Sequence, residues 1–253
     1  MHIQLIRNAT LKVTYADKTF LIDPMLGSQG AYEPFPNAAR QDQYNPLAPL
    51  PEPVEAVLDG VDAVIVTHLH LDHWDPAAAE AVPNELPLFV QNETDKTTIE
   101  EAGFTNVTVL GEPSSFDGIR LDKTDGEHGR GEILKMTGEV CGVVFSHPSE
   151  KTLYIAGDTV WNEKVRAEID RHAPEVIVVN AGDNQFHEGG PLVMGAEDVR
   201  QTAEQAPKAA VVAVHMEAVN HWMLSRETLR YSAEAHGYAD RLSVPEDGET
   251  LRF

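Results

Sequence analysis

The stretch Val61-Asp62-Ala63-Val64-Ile65-Val66-Thr67-His68-Leu69-His70-Leu71-Asp72-His73 decides how this chain is read. Its first half is an apolar run of strand length, the pattern of a buried strand. The residues beyond it, Asp75-Pro76-Ala77-Ala78-Ala79-Glu80-Ala81-Val82, predict a helix with Asp at the cap and Pro in the first turn. His68, His70, Asp72 and His73 therefore sit where a strand ends and a helix begins. A turn there aims four polar side chains into one small volume, which a continuous strand or helix could not do. Two clustered metal ions are the simplest reason to gather them. A surface His-rich tract would need no apolar strand in front of it, and buried histidines in a row could not all find partners.

A dinuclear site needs more donors than these four, and each must stand at a strand end to reach the same spot. Asp23 ends Phe20-Leu21-Ile22 and precedes Pro24. Asp158 ends Leu153-Tyr154-Ile155-Ala156 after Gly157, whose missing side chain permits a close backbone approach. His215 ends Val211-Val212-Ala213-Val214, and His128 lies in the Gly-rich segment from Asp125 to Gly131.

The rest of the chain reads as layered α/β structure. Ile3–Ile6, Leu11–Tyr15 and Thr19–Ile22 predict an opening meander. Gly27–Pro53 has no period but carries Tyr32, Phe35 and Tyr44, the pattern of a lid or binding loop. Strands are expected at Leu86–Val90, Val107–Leu110, Phe116–Lys123, Glu139–Ser146, Thr152–Ala156, Val176–Asn180, Ala210–Val214 and Asp240–Val244. Helices are expected at Glu93–Ala102, Asn162–His172, Gly195–Glu204 and Arg226–His236. Strands with intervening helices in two stretches predict sheets with helices outside.

A length of 253 residues, 42% of them hydrophobic, suits a single domain of two α/β halves, about 1–120 and 121–253. No run approaches the ~20 apolar residues of a membrane span. The start, Met1-His2-Ile3-Gln4-Leu5-Ile6, lacks an export-signal pattern. Cys141, the lone cysteine, excludes an internal disulfide and reads as a small buried hydrophobe, so the cytoplasm is the expected compartment. A net charge of −22, from 41 acidic and 19 basic residues, repels a phosphate backbone. Neither nucleic acid nor membrane is expected as a partner. Small molecules are, anionic ones included, because divalent metals overturn the sign of the field inside a pocket.

Thr67-His68-Leu69-His70-Leu71-Asp72-His73, with Leu21-Ile22-Asp23-Pro24 before it and Gly157-Asp158-Thr159 after it, resembles the metallo-β-lactamase superfamily. The resemblance covers essentially the whole chain, and is nearest to the small stand-alone metal-dependent hydrolases of the ascorbate-phosphate-lactonase type. It implies a four-layer αββα sandwich with the metals at one edge. It further implies that His68, His70 and His128 hold one ion, that Asp72, His73 and His215 hold a second, and that Asp158 bridges both. Asp23 would orient a ligand, or the Asp72–His73 turn, through hydrogen bonds. Many relatives carry a Gly-His pair after the first strand, where this chain has Arg7-Asn8-Ala9. Imidazole and carboxylate donors suit Zn²⁺ first and accept Mn²⁺ or Fe, and Cys141 lies away from every ligand segment.

Two divalent ions sharing a water lower its pKa and polarise a carbonyl or phosphoryl oxygen, so hydrolysis is the expected reaction. Asp72 is placed to orient that water and take its proton. His221 is the candidate proton donor or anion contact, His187 a second substrate contact, and Arg130 a partner for an anionic group. Trp74 reads as packing beneath the metal turn. Three functions remain open: opening a small lactone or similar ester or cyclic bond, hydrolysing a small phosphodiester or phosphoryl ester, and di-iron redox chemistry. A narrow apolar pocket favours the first and a wide electropositive rim the second. A homo-oligomer formed through the outer helices is compatible with all three.

Overall fold

The computed structural model describes residues 1–111 and 114–253. The N-terminal alternating runs form β1 (His2–Arg7), β2 (Thr10–Tyr15) and β3 (Lys18–Ile22), an antiparallel meander. β3 then pairs in parallel with β4 (Ala63–Val66), β4 with β5 (Leu88–Val90), and β5 with β6 (Val107–Val109). Parallel neighbours need crossovers, supplied here by α1 (Val54–Leu58), α2 (Pro76–Ala81) and α3 (Glu93–Glu101). Asp75 caps α2 by accepting the Ala78 amide at 2.7 Å, with Pro76 in the first turn, as its sequence predicts.

The second sheet repeats the scheme. β7 (Ser114–Phe116), β8 (Ile119–Asp125), β9 (Cys141–Ser146) and β10 (Leu153–Ile155) are antiparallel. β10 continues in parallel to β11 (Val176–Asn180), β12 (Ala210–Val214) and β13 (Leu242–Ser243). A short α4 (Leu134–Thr137) follows β8, while α5 (Glu163–His172), α6 (Ala196–Gln205) and α7 (Arg226–His236) lie along the parallel half. A last strand, β14 (Thr250–Arg252), returns to pair with β1.

Three apolar clusters define four layers, the expected αββα sandwich. The central one joins both sheets, with Val13, Phe20 and Ile65 from the first against Phe145, Ile155 and Val178 from the second. An outer cluster seats α1, α2 and α3 on the first sheet through Val57, Ala78 and Ile99. The other seats α5, α6 and α7 on the second through Val165, Val199 and Leu229. None of the described helices is long and apolar enough to cross a membrane.

The structure departs from the sequence reading in several places, the helix α1 at Val54–Leu58 among them. The strand expected over Phe116–Lys123 is a hairpin, because Asp117 and Gly118 take left-handed conformations (φ 46° and 86°) and reverse the chain. Residues 131–137, assigned to no element from the sequence, form a 3-10 turn and α4. Thr250–Arg252 was not expected as a strand. The two sheets interlock in sequence: the second begins at Ser114, and β14 returns to the first.

Candidate metal centre

The parallel strands of both sheets point their C-terminal ends at one edge of the sandwich, where the polar residues after each apolar run meet. Asp23 follows β3, Thr67 and His68 follow β4, Asp158 follows β10, and His215 follows β12. Three overlapping triads place one donor atom of each residue within 4.8 Å of the others: His68, His70 and His128; His68, His73 and Asp158; Asp72, His73 and His215. Asp158 stands between the outer two. Its Oδ2 lies 3.9 Å from His68 Nε2, 3.5 Å from His128 Nε2 and 3.2 Å from His73 Nε2. Its Oδ1 lies 3.7 Å from His215 Nε2, and Asp72 Oδ2 approaches that nitrogen at 3.2 Å. The sets expected for a first ion, a second ion and a bridge thus occupy one continuous volume.

The backbone is bent to achieve this. Asp23 and His215 adopt left-handed conformations (φ 45° and 59°), which turn each side chain inward straight after its strand. Gly157, at φ 69°, passes so close to β9 that a Cβ would stand 2.3 Å from the Cys141 carbonyl oxygen. Any other residue would push Asp158 away.

Two of the imidazoles, His73 and His128, are aimed by what their far nitrogens touch. His73 Nδ1 lies 2.9 Å from Asp23 Oδ2, and Asp23 also accepts the Thr67 amide at 2.7 Å and the Thr67 hydroxyl at 2.8 Å. His128 Nδ1 donates to the Leu192 carbonyl at 2.9 Å. Both contacts put the proton on Nδ1 and leave the Nε2 lone pair facing the centre. Asp158 is steadied by Asn180 Nδ2 at 2.6 Å. Asn8, within the divergent Arg7-Asn8-Ala9, donates from Nδ2 to the Asp72 carbonyl at 2.9 Å and accepts the His215 amide at 2.8 Å. It ties the turn that bears Asp72 to the end of β12. Buried Arg7 bonds the carbonyls of Met25, Gly27 and Ala48, anchoring the loop that follows β3.

These residues suit divalent ions. Nε2 of His68, His73 and His215 is buried without a hydrogen-bond partner, an expensive state unless a cation completes it. Burial works against ionising Asp158, yet His73, His215 and His128 hold its carboxyl well below the usual range. Asp72, equally buried, is held down by His215 and His73. Burial also disfavours a charged His73, but Asp158 and Asp23 raise it well above the ordinary histidine value. His68, buried beside His73 and His70, stays well below it. The field thus favours positive charge at the centre, the sign a divalent ion carries.

A cavity of about 210 Å³ opens onto the centre. His70, Asp72, His128 and Asp158 form its floor, and Phe35, Leu71, Met136, Phe186 and Leu192 supply apolar wall. Thr137 and His221 complete it. The His221 ring stacks on Phe186 (5.8 Å, 15°) and meets Phe35 edge-on at 4.8 Å. Burial lowers its pKa to about 4. Asn184 Nδ2 lies 3.3 Å from His221 Nε2, whereas the buried Nδ1 has no partner. A neutral ring accepting at Nε2 carries its proton on Nδ1.

Phe35 comes from the Gly27–Pro53 loop, which is pinned in place. The Asn220 side chain accepts from the Phe35 amide and Asn45 Nδ2 and donates to the carbonyls of Phe35 and Ala39. Arg40 stacks on Trp222 at 3.8 Å and donates to the Trp222 carbonyl. Sequence reasoning missed Asn8, Asn180 and Asn220; an isolated asparagine beside a turn carries no signal of which distant segment it binds.

Two sequence expectations are corrected here, for Arg130 and Cys141, and His187 is placed beside the metal chamber. Arg130 does not face the cavity: its guanidinium lies 2.9 Å from both carboxylate oxygens of Asp198. His187 lines a neighbouring cavity rather than the metal chamber. Cys141 is not remote from the ligands, since its thiol donates to the Thr67 carbonyl at 3.4 Å. Burial pushes that thiol's pKa up, which keeps it protonated and out of the donor set. Trp74 packs against Phe104 at 5.5 Å, away from the chamber.

Comparison with known proteins agrees with this geometry. The β-lactamase superfamily domain matches residues 18–216. The chain is 54% identical to the UPF0173 protein YddR of Bacillus subtilis, over the full length of both. Isothiocyanate hydrolase from Delia radicum gut bacteria superposes with a TM-score of 0.96 at 45% identity, covering 100% of this chain and 99% of that one. A possible metal-dependent hydrolase from Veillonella parvula superposes at 0.97 with 39% identity, covering 99% and 98%. With its strand-end histidines and aspartates gathered around one buried volume, the chain belongs to the metallo-β-lactamase superfamily and is a metal-dependent hydrolase.

Proposed function

We propose that this hydrolase acts on small, uncharged, largely apolar electrophiles, isothiocyanates first among them. One observation carries the reading: the metal-facing cavity has an aromatic and aliphatic wall, and none of the described residues lining it is Lys or Arg. A phosphoryl or carboxylate group would meet no side-chain cation there, because Arg130 is held by Asp198. Full-length similarity at 45% identity to an isothiocyanate hydrolase supports the substrate class.

His68, His70 and His128 would hold one ion, Asp72, His73 and His215 the other, with Asp158 between them, Zn²⁺ being the first choice and Mn²⁺ or Fe acceptable to the same donors. When bound, such ions lower the pKa of water and polarise the electrophile. Asp72 orients the attacking water toward the cavity. His221 offers its Nδ1–H to the nitrogen or sulfur of the cumulated group as charge develops there. Phe35 and Phe186 hold that imidazole and keep bulk water off it. The balance is R–N=C=S + H₂O → R–NH₂ + COS: water adds across the C=N bond, and the resulting thiocarbamate loses carbonyl sulfide as the C–N bond breaks. A small lactone or ester fits the same neutral chamber and is the second reading.

The test is incubation of Zn- or Mn-loaded protein with allyl isothiocyanate, following loss of substrate and release of allylamine. Turnover that falls at least a hundredfold in Asp72→Ala supports the proposal. No turnover, with lactones opened by the same preparation, overturns it in favour of the second reading.

A further inference from the structure

Beside the metal chamber lies a second cavity of about 430 Å³, bounded by Pro36, Ile133, Met136, Phe186, His187 and Glu188. Met136 and Phe186 belong to the walls of both. The chamber itself, at about 210 Å³, is smaller than the ~300–1,000 Å³ typical of sites that enclose a whole ligand. It holds a reacting group and a few neighbouring atoms, so a larger substrate must extend somewhere.

The divider between the cavities has one fixed half and one adaptable half. Phe186 is fixed: it stacks on His221, its backbone bridges to Ala38, and the next amide, of His187, donates to the Asn37 carbonyl at 2.6 Å. Met136 is 62% exposed on the four-residue α4, between Gly131 and Gly138 with φ of 69° and 74°. An unbranched thioether on so short an element can swing without disturbing a sheet. The outer cavity is apolar along Pro36, Ile133, Met136 and Phe186, and Glu188 adds a carboxylate to its boundary.

We propose that the second cavity is the subsite for the substrate's substituent, and that Met136 is the divider that admits it. The occupant is an alkyl or aryl tail without negative charge, since most of the lining is apolar and an anionic tail would face Glu188. This inference rests on the proposed hydrolysis of small apolar electrophiles.

The experiment uses two series on Zn-loaded protein. Methyl to octyl isothiocyanates are assayed for turnover, and N-methyl to N-octylurea, which are not hydrolysed, for binding by calorimetry. In the wild type, kcat/KM should rise about fourfold per methylene as far as hexyl, giving a hexyl-to-methyl ratio above a hundred. Ile133→Trp, which fills the outer cavity, should bring that ratio within threefold of one and remove the matching gain in urea affinity. Met136→Ala should carry the gain on to octyl. Circular dichroism and metal content verify that both variants are folded and loaded. Methyl isothiocyanate turned over with both series flat, or a ratio unchanged in folded Ile133→Trp, overturns the subsite. A urea length gain lost in Ile133→Trp, with no isothiocyanate consumed, supports the subsite and overturns the substrate reading instead.

Discussion

Replacing Asp23 by Asn should weaken one ion of the pair and spare the other. The Asp23 carboxylate accepts three hydrogen bonds, from the Thr67 amide (2.7 Å), the Thr67 hydroxyl (2.8 Å) and His73 Nδ1 (2.9 Å). Asparagine keeps one acceptor oxygen and tolerates the left-handed φ of 45° at this position, so the backbone has no reason to move. Its amide group must face either the Thr67 N–H, a donor that cannot change, or His73 Nδ1. The second choice drives His73 into the tautomer with the proton on Nε2, which removes a lone pair from the centre. Losing such a carboxylate–imidazole contact typically costs ~10–100-fold in metal affinity, about 1.4–2.7 kcal/mol. His68, His70 and His128 make no contact with Asp23, apart from the Thr67 hydroxyl that also touches His68 Nδ1. Titration against a competing chelator should therefore show two steps, one shifted by that factor and the other changed by less than about threefold. Two steps at wild-type affinity would refute the claim that Asp23 orients a ligand.

Further expectations follow from the same geometry. Gly157→Ala meets both the Cys141 carbonyl oxygen at 2.3 Å and a φ of 69°, and should cost about 3–5 kcal/mol in urea denaturation with loss of bound metal. Asn220→Ala removes four hydrogen bonds that hold the Gly27–Pro53 loop and should speed limited proteolysis between residues 33 and 45, with a loss of about 2–3 kcal/mol. His221 titrates near 4 when folded against the ordinary 6.5, so the unfolded chain takes up the proton first as pH falls. Stability is thus full above pH 6.5 and declines toward pH 4, and the wild type should lose about 3 kcal/mol more than His221→Phe across that window. Equal pH dependence in the two proteins would contradict the buried neutral ring.

The strand-end residues that meet at the site were legible because each apolar strand stops abruptly at a polar residue. Ile22 gives way to Asp23, Ala156-Gly157 to Asp158, and Val214 to His215, and parallel strands deliver such ends to one edge. What escaped the sequence depends on partners far along the chain. Thr250–Arg252 is too short and too polar to declare itself a strand; it is one because β1 offers an open edge. Asp117-Gly118 is a two-residue turn signal that an apolar neighbourhood concealed. Arg130 sits two residues from a ligand, yet Asp198 claims it from α6. Cys141 seemed distant in sequence but reaches from the second sheet to the Thr67 carbonyl at the end of β4 in the first. The chamber wall is the least legible feature, since Phe35, Met136 and Phe186 come from three loops or short turns with no period to relate them.

The central claim is that two divalent ions share Asp158. Elemental analysis of untagged protein purified without added metal, with His128→Ala alongside, tests it most directly. The arrangement predicts about two equivalents per chain in the wild type, falling toward one in the variant as the His68, His70 and His128 set loses a member. One equivalent in the wild type, unchanged in His128→Ala, would contradict it.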